Sequence, residues 1–184
     1  MDAKKVTGRG GRQTTGSPKP DNPFWYVKGA APWPYKPEDS SVLMWWRRLP
    51  IGLFQETERS LLLATLRQLS VIGANEDVAA ALKGDPAAAV RAALSLMPIE
   101  HITLTVDIAM TALVRTALDR SSTSALVMTQ VILLTELGHE FATGLAASWF
   151  AYGRQCSSDP RKFSEAEEPL LAAFRARNKC GPPA

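Results

Sequence analysis

Cysteine and histidine are scarce in this chain of 184 residues, which contains two of each. Cys156 and Cys180 cannot form a disulfide framework, and neither has another Cys or a His nearby at metal-ligand spacing. We therefore interpret both as free thiols in a reducing compartment. This interpretation favours a cytoplasmic location or an intracellular particle.

Sequence motifs of common enzyme classes are also missing. The chain has no Walker loop, dinucleotide fingerprint, nucleophile elbow or zinc knuckle. No apolar run follows the N-terminal charges, which argues against a secretory signal. We expect a protein that is not an enzyme and that needs no cofactor or metal.

The positive charge is concentrated in residues 1–20, where Asp2 is the one acidic residue. The basic residues of this stretch are Lys4, Lys5, Arg9, Arg12 and Lys19. Its net charge is +4, so the rest of the chain carries −1 of the total of +3. Residues 1–23 have almost nothing apolar to bury, which predicts a disordered basic arm. Such an arm can contact nucleic-acid phosphates, or it can serve only as a solubilising tail.

Residues 24–37, FWYVKGAAPWPYKP, combine aromatic residues with prolines that favour extended backbone. Exposed aromatic side chains are costly in water, so we expect this strap to dock on a protein surface. The surface belongs either to the chain's own helices or to a neighbouring subunit, and we favour the neighbour. The predicted docking residues are Phe24, Trp25, Tyr26, Trp33 and Tyr35, together with Trp45 and Trp46 in the short helix that follows.

The sequence pattern of residues 38–178 predicts an all-α helical bundle, and we expect residues 179–184 to form a flexible tail. Helical periodicity is clear in residues 55–73, and Asn75 and Asp85 are expected to cap two short helices. The segment HITLTVDI alternates like a strand, but the apolar pattern continues at helical spacing through Leu118. We expect residues 122–155 to form the longest helical segment and residues 164–179 to form the last helix.

The two long segments before the C-terminal helix are strongly apolar. Residues 125–152 are long enough to span a bilayer, but Gln130, Glu136, His139 and Glu140 interrupt them. Each ionisable group there would cost about 3 kcal/mol on insertion, so we expect a bundle helix rather than a membrane span. The apolar excess further predicts that neighbouring subunits cover these helices, in a homo-oligomer or a larger assembly.

Glu136 and His139 form a Glu-x-x-His pair, which would place two metal ligands one helical turn apart. The second such pair of a di-iron site is missing, and HEFAT has Thr143 where the zinc motif has its second His. The favoured interpretation is a buried or interfacial polar network that includes, for example, an Arg115–Glu136 ion pair. The residues of this predicted network are Asp107, Arg115, Glu136, His139 and Glu140.

Three hypotheses of function follow. The first is a non-enzymatic assembly subunit that self-associates through its helices and strap while its arm contacts nucleic acid, as in a coat or nucleoprotein-like particle. The second is a helical adaptor in a larger protein complex without nucleic acid. The third is a metal-dependent helical enzyme that uses Glu136, His139 and Glu140.

Overall fold

The computed structural model describes residues 32–69 and 75–159, together with residues 161, 163 and 165. These residues form helices and no strand, which confirms the all-α prediction for this part of the chain. Three short 3-10 helices come first, at Pro37–Asp39, Val42–Arg47 and Ile51–Leu53. The α-helices are α1 (Glu56–Leu69), α2 (Glu76–Leu82), α3 (Pro86–Ser95), α4 (Leu104–Leu118), α5 (Ser122–Leu134) and α6 (Ala142–Cys156).

Several predicted segments lie outside the described residues. They include the arm at 1–23, the first part of the strap at 24–31, and residues 166–184 with most of the expected last helix and the tail. The proposed extent of these segments stays a prediction.

The starts of α2 and α3 are set by the caps expected from the sequence. The side chain of Asn75 accepts a hydrogen bond of 2.8 Å from the amide of Asp77. Asp85 Oδ1 accepts from the amides of the next two helical residues after Pro86, at 2.9 and 3.1 Å. Each cap satisfies amides that have no partner inside the helix, which is worth about 1 kcal/mol.

Helix α4 is the central helix of the bundle. It begins after the cap residue Thr103 and packs against α1, α2, α3, α5 and the second 3-10 helix. Because neighbours surround it, eleven of its fifteen residues are buried, which is why its sequence is apolar on almost every side. Because the chain itself covers α4, the apolar sequence of this helix does not require a neighbouring subunit, and self-association stays a prediction.

Residues 122–155 do not form one helix. Helix α5 ends at Leu134, a loop follows, and α6 starts at Ala142. Gly138 in this loop has φ +71°, in the left-handed region where glycine is favoured. The two helices pack on each other, and Gly153 allows a close approach because an added Cβ would lie 3.1 Å from the Cβ of Ala125.

Among the residues that the structure describes, no helix is both long and apolar enough to cross a membrane. The 28 residues that suggested a possible span are divided between α5 and α6, which have 13 and 15 residues in all. A bilayer-spanning helix needs about 20 apolar residues.

The adjacent tryptophans Trp45 and Trp46 both belong to the core, with 2% and 0% of their surface exposed. Their segment is a 3-10 helix that lies along α4. Trp45 makes an edge-to-face contact with Phe54, at 5.9 Å between ring centroids. The sequence suggested that at least one of them faces a partner or the strap. Both are instead buried within the same chain, where Trp45 Nε1 donates a hydrogen bond of 3.1 Å to the carbonyl of Pro37, the last residue of the strap.

Candidate functional site: the anchor of the N-terminal segment

The N-terminal segment is fixed to the helical body at the loop between α5 and α6. Trp33 Nε1 donates a hydrogen bond of 2.7 Å to the backbone carbonyl of Arg48. The Trp33 ring also packs edge-on against Phe141, at 5.7 Å, and lies over Gly144 on α6. A Cβ at Gly144 would stand 3.5 Å from the indole ring, so the glycine allows the ring to lie close to the helix.

Tyr35 extends this contact. Its ring lies 5.5 Å from the His139 ring and 6.2 Å from Phe141, and the guanidinium of Arg48 lies over it at 5.4 Å. A cation over an aromatic face is worth about 0.5–1 kcal/mol where solvent can reach it. We call Trp33, Tyr35, Arg48, His139 and Phe141 the anchor cluster.

His139 joins the loop to the end of the second 3-10 helix. Its Nε2 lies 2.8 Å from the carbonyl oxygen of Arg47. A carbonyl can only accept, so Nε2 carries the hydrogen of this bond. Nδ1 is buried without a hydrogen-bond partner in the described part of the chain. The imidazole therefore acts here as a structural cross-link between Arg47 and the loop.

A polar cluster under the second 3-10 helix is centred on Asp107. Its Oδ1 accepts from Trp46 Nε1 at 2.7 Å and from Arg47 Nε at 3.3 Å, and its Oδ2 accepts from Arg47 Nη2 at 3.2 Å. One carboxylate thus satisfies the N–H of a fully buried indole and pairs with a largely buried guanidinium. This arrangement fixes the 3-10 helix on the first turn of α4.

Glu136 and Glu140 are both exposed in the α5–α6 loop. The one-turn spacing expected for Glu136 and His139 required a helix, and the loop removes that spacing. No three His, Cys, Asp or Glu residues within 32–69 and 75–159 come together in a way that could hold a metal ion. Among the described residues, the loop therefore offers one engaged imidazole and two solvated carboxylates rather than a ligand set.

Arg115 does not pair with Glu136 as the sequence suggested. Its Nη1 instead donates to the carbonyl of Leu82, at 2.5 Å, so the arginine caps the C-terminal end of α2. Asp119, one turn further along α4, lies 4.0 Å from its Nε. The guanidinium lies against Gly84, whose φ of +98° and missing side chain make room for it. Arg115 is thus a structural cap rather than part of an interface network.

Among the residues that the structure describes, Tyr152 is one whose pKa departs clearly from the ordinary value. Partial burial raises its pKa to about 12, and the hydrogen bond with Cys156 acts in the same direction. Its hydroxyl lies 3.3 Å from the carbonyl of Leu118. The neutral phenol is therefore favoured where the end of α6 meets the end of α4.

The predicted site residues thus separate into four groups. One consists of Arg115, which caps α2, and of Glu136 and Glu140, which are exposed in the α5–α6 loop. The basic arm residues and the aromatic residues Phe24, Trp25 and Tyr26 lie outside the described part of the chain. Trp33, Tyr35 and His139 meet in the anchor cluster, whereas Trp45, Trp46 and Asp107 form the core beneath it. Two members of the anchor cluster, Arg48 and Phe141, were not predicted from the sequence, because periodicity does not show which loop residue meets the segment around Trp33 and Tyr35.

Comparisons of the chain with protein-family models, with curated proteins and with solved structures find no match in any of the three.

Proposed function

We propose that this chain is a non-enzymatic structural subunit of a nucleic-acid-containing assembly, which contacts nucleic acid through its basic N-terminal arm. The observation that carries the proposal is the separation of charge. Residues 1–20 have a net charge of +4, whereas the rest of the chain has a net charge of −1. A body without net positive charge leaves the arm as the part suited to phosphate.

The anchor cluster supports the proposal by giving the arm a defined origin. Trp33 and Tyr35 hold the chain beside Phe141 and His139, so everything before Pro32 starts from one place on the body. A chain fixed at one end and rich in glycine and basic residues can follow a phosphate backbone without a fold of its own.

The structure removes one of the sequence arguments for self-association. Helix α4 is covered by its own chain, so it does not require a second subunit. We propose that copies associate along the bound nucleic acid, where the short arms bring their bodies close together. The adaptor hypothesis predicts instead that the chain keeps its partners when the arm is neutralised.

The test is salt-dependent binding of the full chain to single-stranded RNA and to duplex DNA. The arm variant changes Lys4, Lys5, Arg9, Arg12 and Lys19 to Gln, and the matched control changes Lys36, Arg59, Arg67, Lys83 and Arg154 of the body to Gln. Five phosphate contacts predict a slope of log K against log salt of about −3.5 for single strands and about −4.5 for duplex. Affinity should then fall about 100- to 500-fold between 50 and 200 mM salt.

We expect the arm variant to lose most of this slope and the control variant to keep it. Light scattering on the same samples measures the mass with and without nucleic acid. Equal slopes for both variants would reject the arm as the contact. A chain that binds through the arm but stays monomeric on long RNA would reject the assembly part alone.

A further inference from the structure

Two exposed leucines mark the end of the bundle at which the anchor cluster lies. Leu104 begins α4 and is 61% exposed, and Leu134 ends α5 and is 60% exposed. A side chain of this size at that exposure leaves apolar surface in water at a helix end, where a covering group would be stabilising.

Contacts on the path between these leucines place them at the same end. Leu134 is followed by the loop whose His139 bonds to the carbonyl of Arg47 at 2.8 Å. The side chain of Arg47 pairs with Asp107 at 3.2 Å, one helical turn after Leu104. Tyr35 packs on His139, so the N-terminal segment reaches the body at this end as well.

We propose that Phe24, Trp25 and Tyr26 of the same chain cover the surface around Leu104 and Leu134. Tyr26 precedes Trp33 by seven residues, which limits its distance from the anchor to about 25 Å even in a fully extended chain. The three consecutive aromatic residues are the most apolar part of residues 1–31. Their aromatic side chains would cover Leu104 and Leu134, which are exposed to water in the described part of the chain.

The short connection favours this occupant over a second copy. A flexible linker of a few residues gives its end an effective concentration in the millimolar range. A second molecule reaches that concentration only in a very concentrated solution, so the tethered segment occupies the surface first. In this arrangement the aromatic segment packs on the helical body of its own chain, and residues 1–20 alone extend away from that body.

Cross-linking tests the proposal in the full chain without nucleic acid. In a Cys156→Ser/Cys180→Ser background, Val27→Cys is combined with Leu134→Cys, or with Leu104→Cys, and treated with a short bis-maleimide. The matched control combines Val27→Cys with Leu61→Cys, because Leu61 is also exposed, at 49%, and lies on α1.

Leu61 lies towards the other end of the bundle. The charge of Arg59, two residues before Leu61 on α1, reaches Tyr152 and acts to lower its pKa, and the Tyr152 hydroxyl donates to the carbonyl of Leu118 at the far end of α4. Leu118 is fourteen residues along the helix from Leu104, or about 21 Å.

We expect cross-links within one molecule to form at least about fivefold faster for the Leu134 and Leu104 pairs than for the Leu61 pair, at a rate independent of protein concentration. A further variant, Phe24→Ser/Trp25→Ser/Tyr26→Ser, should lower the rate to that of the control. Far-ultraviolet circular dichroism checks that each variant keeps its helix content.

Three results would overturn the proposal. Equal rates for all pairs would show that the segment does not prefer this end. Rates unchanged by the triple serine variant would show proximity through the tether alone. Cross-linked dimers whose yield rises with concentration would make a second copy the occupant. None of these results depends on whether the arm binds nucleic acid.

Discussion

Asp107→Ala should strongly destabilise the fold, because one carboxylate serves two buried groups. Its loss leaves the indole N–H of fully buried Trp46 without its acceptor at 2.7 Å, which costs about 1–3 kcal/mol. It also leaves the Arg47 guanidinium, 19% exposed, without its anion. Removing one partner of a fully buried pair costs about 3–5 kcal/mol, and partial solvent access reduces that share here. We expect a total of about 2–4 kcal/mol.

Two companion variants separate the contributions. Asp107→Asn keeps an oxygen for the Trp46 N–H but loses the charge, so it should cost about 1–2 kcal/mol. Arg47→Met combined with Asp107→Ala removes the unpaired cation while the Arg47 carbonyl stays available to His139. The double variant should therefore lose less free energy of unfolding than Arg47→Met and Asp107→Ala lose together, by at least about 1 kcal/mol.

Urea unfolding followed by far-ultraviolet circular dichroism measures these free energies without relying on tryptophan fluorescence, which the changes near Trp46 would disturb. The free energies of the unchanged chain, Asp107→Ala, Asp107→Asn, Arg47→Met and the double variant are compared at equal m-values, so that all refer to the same unfolding transition. A loss below about 1 kcal/mol for Asp107→Ala, or strict additivity in the double variant, would refute the reasoning that the carboxylate holds the 3-10 helix on α4.

Three further changes test other contacts. Gly84→Ala should cost about 0.5–1.5 kcal/mol more than Gly138→Ala in urea unfolding. Both glycines have positive φ, but a Cβ at Gly84 would also lie 2.8 Å from the Arg115 guanidinium, whose shift would weaken its hydrogen bond to the Leu82 carbonyl. Equal losses would contradict that contact. The pKa of Tyr152 is about 12 in the fold and about 10 when unfolded, so its stabilising contribution is complete below pH 10 and is lost as pH rises towards 12. The difference in unfolding free energy between the unchanged chain and Tyr152→Phe should therefore shrink by about 1 kcal/mol between pH 9 and 12, after allowance for the solvent exposure of Tyr152. Urea titrations that give the same difference at both pH values would contradict this assignment. Trp33→Phe removes the indole hydrogen bond and should raise the protease cleavage rate near Pro32 several-fold, whereas an unchanged rate would show that ring packing alone suffices.

Local signals in the sequence predicted the local parts of the fold. Asn75, Asp85 and Pro86 mark helix starts by chemistry that acts within three residues, and the structure confirms these starts. The end of α5 could not be predicted from periodicity, because the apolar pattern continues through Leu137. Gly138 is the one local hint of the loop, since it adopts a positive φ there and glycine adopts that backbone readily.

The candidate site was harder to predict because its contacts are distant in sequence. Asp107 and Arg115 were recognised as polar residues on an apolar helix, but their partners Trp46 and Leu82 lie 61 and 33 residues away. Periodicity shows which side chains share a face of one helix and does not show which other element meets that face. The central position of α4 could not be predicted for the same reason. An apolar helix has the same sequence pattern whether its own chain or a second subunit covers it.

The bond between His139 and Arg47 also sets an order of events during synthesis. His139 is 92 positions after Arg47 in the chain, and Asp107, the hydrogen-bond acceptor of Trp46, is made 61 residues after it. A ribosome adding about 5–20 residues each second needs several seconds to make the residues between Arg47 and His139. Through that interval Trp45 and Trp46 have been made but lack part of their burial site. Trp45 and Trp46 are therefore made early but are among the last of the described residues to reach their final packing, after α5 and its loop have left the ribosome.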